Sequence, residues 1–262
     1  MGKALLFQIQ KNGENFYMNP KDDFDKEKKT NIISLGNDVD LKATALKFMM
    51  DASSYKYTYN FTWLGRPIIQ YPQDILALQE IIWELQPDLI IETGIAHGGS
   101  LIFSSSILEL IGKGGQVLGI DIDIREHNRV EIERHPMSKR ITMIEGSSVD
   151  SQIVKRVHEF AKDKKRILVI LDSNHTHEHV LNELQSYSSL VTKGSYIIVF
   201  DTAVEDVPED FSWNGRPWGK GNNPKTAVWE FLKTHDEFEI DTSIHNKLLI
   251  TVAPDGYLKK IK

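Results

Sequence analysis

The chain has no cysteine among its 262 residues. Disulfides and thiolate metal sites are therefore excluded, and any ion must be held by oxygen or imidazole ligands. No apolar run approaches the ~18 residues that a membrane-spanning helix needs. A basic surplus is also missing: 31 Lys and Arg stand against 37 Asp and Glu, a net charge of −6. That balance argues against a nucleic-acid partner, because polyanion binding calls for a basic surface. Residues 1–10 hold one lysine and a short apolar patch broken by glutamine, which makes a poor signal peptide. The expectation is a soluble cytoplasmic protein with no membrane partner.

What is present centres on residues 89–100. The apolar run Leu89-Ile90-Ile91 ends in Glu92, then a small-residue turn (Thr93-Gly94-Ile95-Ala96-His97-Gly98-Gly99-Ser100) opens an apolar helix pattern. This is a strand feeding a helix through a glycine loop, where a nucleotide-like ligand can approach the backbone closely. Roughly twenty residues beyond the loop a second strand, 117–121, ends in Asp121, an acid suited to both hydroxyls of a ribose. A G-x-G-x-x-G dinucleotide loop would need a second glycine where this chain has Ala96, so the pair favours S-adenosylmethionine over NAD.

From Asp74 onward strands and helices alternate. Strands are predicted at 88–92, 117–121, 141–145, 166–171 and 195–201, and helices at 99–111, 125–134, 151–162, 177–190 and 224–234. Strongly apolar strands between helices imply a parallel sheet covered on both faces. Two last apolar stretches, 238–241 and 248–252, joined by a short polar link, predict a closing hairpin. The fold expected is α/β: a doubly wound, mostly parallel seven-stranded Rossmann-like sheet with a C-terminal antiparallel hairpin, the class I methyltransferase layout. Residues 73–262 would form this domain. Residues 1–72 would be a small N-terminal extension or cap, with a solvated or mobile charged segment at 11–40 and an aromatic stretch at 55–71. That stretch suits a lid, a cap on the core, or packing between subunits of a homo-oligomer.

Open parallel sheets bind ligands beyond the carboxyl ends of their strands. Glu92 there could hold the ammonium of a methionine moiety, and Gly94 permits a close turn. Gly98 and Ser100 open a helix whose amides could receive the carboxylate. Asp121 is assigned to the ribose, and Ser147 or Ser148 to the adenine edge. Asp172 and Asp201 end the fourth and fifth strands. If those strands are neighbours, the carboxylates repel unless a proton or cation lies between them, and a Mg²⁺-like ion with oxygen ligands resolves this. Thr202 offers a third oxygen, and His175 could take a proton from a substrate hydroxyl. His177 and His179 fit helix-start positions. The long segment 204–223, with Trp213 and Trp218, suits a substrate lid or a structural plug.

The motifs Trp63-Leu64-Gly65-Arg66-Pro67-Ile68-Ile69-Gln70, 87–100, Leu171-Asp172-Ser173-Asn174-His175, 194–199 and Asp255-Gly256-Tyr257-Leu258 together resemble the cephalosporin hydroxylase family, from about residue 60 to the end. That family is similar to S-adenosylmethionine- and Mg²⁺-dependent O-methyltransferases of rhamnosyl groups and macrolide sugars, and more distantly to catechol O-methyltransferase. The resemblance implies metal ligands at Asp172 and Asp201, a base at His175, and a small-molecule or glycan acceptor. One departure stands out: Phe200 occupies the first position of what is often an acidic pair. Two other functions fit parts of the pattern. One is an NAD-linked oxidoreductase, and the other a catalytically silent relative that binds the cofactor in an assembly.

Overall fold

The computed structural model describes residues 8–11, 14–17, 19–211 and 215–262. A hairpin of β1 (Gln8–Lys11) and β2 (Glu14–Tyr17) comes first, then the helices α1 (Pro20–Asn37) and α2 (Val39–Ser53). The charged segment expected to be merely solvated is thus helical over 20–37. The Asn19 side chain caps the Lys21 amide at 3.1 Å and Pro20 presets the first turn, while α1 buries none of its residues. A second hairpin, β3 (Phe61–Trp63) and β4 (Arg66–Ile68), leads into α3 (Pro72–Leu85). Part of the aromatic stretch packs inward, with the Tyr57 ring meeting Phe48, Phe61 and Tyr71 at 5.1–5.7 Å, while Tyr55 and Tyr59 stay exposed.

The main domain then runs β5 (Leu89–Thr93), α4 (Gly99–Ile111), β6 (Gln116–Asp121), α5 (Glu126–Arg134) and β7 (Ile141–Glu145). It continues with α6 (Ser151–Ala161), β8 (Ile167–Leu171), α7 (His177–Tyr187), β9 (Tyr196–Val199) and α8 (Pro224–Phe231). It closes with β10 (Phe238–Ile240), α9 (Thr242–Leu248) and β11 (Tyr257–Lys260).

These strands form one seven-stranded sheet in the order β10-β11-β9-β8-β5-β6-β7. Strands β5 to β9 are parallel, and β11 lies antiparallel between β9 and β10. The predicted architecture holds, with one correction. The hairpin's second strand is β11, not 248–252, and α9 lies between the two strands. Residues 249–252 turn instead through a left-handed Leu249 (φ 59°), and Thr251 and Val252 bond to the buried Asp74 carboxylate. A short apolar run does not by itself specify a strand.

Side chains alternate across the sheet. Ile90, Val117, Leu168, Ile170 and Ile198 face a core shared with α3 and α4; Ile91, Leu118, Val169, Leu171 and Val199 face one shared with α6, α7 and α8. From β5 the chain winds outward to β6 and β7, then returns to β8 on the other side of β5. The crevice above the carboxyl ends of β5 and β8 is therefore the topological switch point, where such sheets bind ligands. Among the described residues no helix is long and apolar enough to cross a membrane.

Candidate active site

Glu92 continues the Ile90 face of β5, and Asp172 the Leu168 and Ile170 face of β8, so both carboxyls stand on the α3–α4 side of the switch point. Between them the loop after β5 passes close to β8. Gly94 has φ +91°, and a β-carbon there would sit 2.0 Å from the Asp172 carbonyl oxygen. Only glycine fits both conditions. Gly99, first residue of α4, is similarly pressed against the Pro67 carbonyl, 2.1 Å from where a β-carbon would stand. Gly98 caps α4 and offers no side chain to its first amides, which leaves them to an anionic group.

Asp121 organises this loop. Its Oδ2 accepts from the Ile95 and Ala96 amides at 2.7 and 3.2 Å, and its Oδ1 from the Asp123 amide at 3.1 Å. Oδ2 is thereby filled, while Oδ1 keeps a further lone pair for a ligand hydroxyl. Two residues that sequence reasoning missed hold the loop from outside. Arg66 donates to the His97 carbonyl at 2.7 Å and to Asn128 at 3.1 Å, and Asn128 donates to the Ala96 carbonyl at 3.0 Å. Ser147 is half-buried. The Ser148 hydroxyl pairs with His179 Nε2 at 3.1 Å, and its carbonyl accepts from Tyr187. His179 also reaches Ser173, and Ser173 donates to the buried Glu183 at 2.7 Å. His177 joins α7 to Thr226 of α8 at 2.8 Å.

Glu92 is 2 % exposed, and its Oε2 has no partner. Burial raises its pKa to about 7, with Ser100 offsetting part of the rise. Folded Glu92 therefore holds its proton more tightly than the unfolded chain does, and stability falls as pH rises from about 4.5 to about 7. At ~1.4 kcal/mol per unit the ionised form costs roughly 3 kcal/mol. Glu92→Gln removes that cost but leaves an amide to be satisfied, so a gain of about 1–2 kcal/mol is expected at pH 8 and none at pH 4.5. Thermal melts of both proteins at the two pH values measure it. A buried acid with one oxygen unpartnered, tolerated at this cost, fits a site built for a cation.

Asp172, His175 and Asp201 gather at the same rim, with ligand atoms all within 4.8 Å of one another. His175 Nε2 lies 2.9 Å from Asp201 Oδ2. Burial raises the Asp172 pKa well above the carboxylate range, and the charges of Asp201 and Glu92 add to it. Asp201 goes the other way: burial opposes ionisation, but the charge and hydrogen bond of His175 outweigh it and lower the pKa. His175 itself is raised, since Asp201 and Glu183 overcome the effect of burial on the charged ring. Asp201 leaves β9 with φ 57°, while the preceding Phe200 is buried in the core. The neighbouring Thr202 is fully buried, and its hydroxyl donates to the Pro254 carbonyl at 2.5 Å.

Two carboxylates with an adjacent imidazole suit a hard divalent ion beside a proton acceptor, because Mg²⁺ prefers oxygen ligands and water to nitrogen. The Trp218 ring meets His175 edge-on at 4.8 Å, and the exposed Arg216 lies over Trp218. Of the segment assigned as a lid or plug, Trp213 and Asn214 lie outside the described residues. Its base is fastened by Glu205, which accepts from the Gly221 amide at 2.8 Å and from Asn223.

The chain is 31% identical over 204 residues to a rhamnosyl O-methyltransferase of Mycobacterium bovis, covering 75% of this chain and 77% of that one. It is 29% identical over 203 residues to one from Mycobacterium leprae, covering 75% and 82%. A solved CmcI structure with Mg and SAM has the same fold, with a TM-score of 0.56 at 20% identity over 78% of each chain. An apo structure of CmcI gives 0.54 at 21%, over 78% of this chain and 77% of that one. The family model described as rhamnosyl O-methyltransferase/CmcI matches residues 55–261. The chain belongs to the rhamnosyl O-methyltransferase/CmcI family.

Proposed function

We propose that the protein is an S-adenosylmethionine-dependent, Mg²⁺-assisted O-methyltransferase acting on a hydroxyl of a sugar, glycan or sugar-bearing natural product. The observation that carries this is the convergence of Glu92, Asp172, His175 and Asp201 beside the glycine loop at one switch point. When bound, S-adenosylmethionine supplies a methyl on a sulfonium, and Mg²⁺ supplies positive charge that acidifies a nearby hydroxyl.

Glu92, its Oε2 otherwise orphaned, binds the methionine ammonium. Gly94 and Gly98 let the backbone close on the cofactor, and the first amides of α4, that of Ser100 included, take its carboxylate. The free lone pair of Asp121 Oδ1 accepts a ribose hydroxyl. Ser147 borders the adenine, with Ser148 held in place by His179. Asp172 and Asp201 hold the ion; the Thr202 hydroxyl, the third oxygen expected, donates to the Pro254 carbonyl. His175 accepts the proton of the acceptor hydroxyl, and Trp218 keeps water from the imidazole. Because sulfonium is already a good leaving group, alignment of the hydroxyl supplies much of the acceleration.

Calorimetry with S-adenosylhomocysteine and with NAD tests the cofactor, and methyl transfer to rhamnosides with and without EDTA tests the reaction. Tight binding of the first ligand alone, and EDTA-sensitive transfer, are expected. NAD binding would favour the oxidoreductase, and cofactor binding without transfer to any hydroxylated acceptor would favour the silent relative. Glu92→Gln, the change that raises stability at pH 8, should weaken S-adenosylhomocysteine binding by roughly 10-fold or more, the worth of one charged hydrogen bond.

A further inference from the structure

Gln70 lies between the hairpin β3–β4 and the first turn of α3, outside the alternating strand–helix pattern. It is 4 % exposed. Its Nε2 donates to Asp172 Oδ2 at 3.1 Å, so the other end of the amide is an acceptor. That acceptor, Oε1, is buried and has no partner. Such an atom costs about as much as a lost hydrogen bond unless something fills the place. The same is true of Glu92 Oε2, on the strand paired with the one that leads into Asp172. Two buried acceptors without donors thus neighbour one carboxyl. One ligand with several N–H groups satisfies both, and a cationic one, unlike water, also offsets the charge of the Glu92 carboxylate.

We propose that Gln70 Oε1 and Glu92 Oε2 together form the receptor for the cofactor's α-ammonium, so that the N-terminal cap contributes a binding residue to the methionine site. This rests on the cofactor assigned above. Gln70 then has two tasks in one amide: its nitrogen fixes Asp172, and its oxygen receives the ammonium beside it. Arg66, four residues earlier, holds the glycine loop from the same segment. The cap is therefore continuous with the cofactor site at both ends of the stretch 66–70.

The test is calorimetry in EDTA, with S-adenosylhomocysteine and its deamino analogue titrated into wild type, Gln70→Met and Gln70→Glu. Gln70→Met keeps the volume and removes the acceptor. It should lose about 10-fold in affinity for S-adenosylhomocysteine and nothing for the deamino analogue, whose unchanged binding also reports a folded site. Gln70→Glu restores an acceptor oxygen and should recover most of the affinity that Gln70→Met loses. Equal losses on both ligands would overturn the proposal and make Gln70 a support for Asp172 alone. No loss on either would also overturn it. If wild type binds neither ligand, the cofactor assignment itself fails.

Discussion

Replacing His175 by alanine is expected to lower kcat by about 10³-fold, the usual scale for loss of a positioned general base, while leaving S-adenosylhomocysteine binding unchanged. The imidazole stands 2.9 Å from Asp201 and edge-on to Trp218, and it shares no bond with the glycine loop. A second measurement separates the base from a metal ligand, because the histidine lies within the cluster that could hold an ion. A lost ligand would abolish the rise in melting temperature that Mg²⁺ gives. A lost base leaves that rise in place and enlarges it, since Asp201 without its imidazole partner gains more from a cation. Thermal melts with and without Mg²⁺ decide between the two roles. Free imidazole should restore part of the rate. Full activity in the alanine variant would remove His175 from the mechanism.

Much of the fold is legible because its signals are local. Each parallel strand is an apolar run bounded by turn residues, and the chain alternates them with helical patterns. The predicted termini of β5, β6, β7 and β8 agree with the structure to within a residue. The closing hairpin misled because the sheet was completed by Tyr257–Lys260, which are polar at their end, while the more apolar 248–252 were recruited to Asp74. Helix α1 escaped because it lacks an apolar stripe, although the Asn19-Pro20 pair is a helix-start signal that could have found it.

The site divides in the same way. Glu92, Asp121, Asp172 and Asp201 announce themselves as acids at strand ends, and the parallel sheet then carries them to one rim. Gln70 and Arg66 do not, because a glutamine or arginine in an irregular segment has no pattern. Their partners lie 102 and 31 residues away, contacts that only the folded chain creates. Asn128 belongs with them, reaching back to Ala96 from α5. Phe200 is the instructive departure. An acid at that position would share the face of Ile198 and point into the apolar core, where an unpaired charge is costly. Phe200 fills the core instead, and the next residue, Asp201, bends into a left-handed conformation to present its carboxylate to His175.

Asparagine in place of Asp172 or of Asp201 should give two variants that differ without metal and agree with it. In the ion-free protein burial and the neighbouring acids favour the protonated form of Asp172. Asp172→Asn exchanges one neutral group for another of the same shape, and the melting temperature should barely move. Asp201 is ionised and paired with His175. Asp201→Asn breaks that half-buried pair and should cost about 1–2 kcal/mol, between the values for exposed and fully buried bridges. Once Mg²⁺ is added, wild type gains stability as the logarithm of occupancy, and neither variant does, since each keeps only one of the two charges that attract the ion. Methyl transfer should fall by more than ~10²-fold in both, beyond the 10–100-fold that changes to the outer support of a metal site produce. Calorimetric Mg²⁺ titration of the three proteins, with rates in parallel, measures all of this. Were the two variants to keep their Mg²⁺ response, the ion would have to lie elsewhere. Were wild type to transfer methyl groups at full rate in EDTA, the carboxylates would act by charge alone, with His175 and Asp201 as the pair that moves the proton.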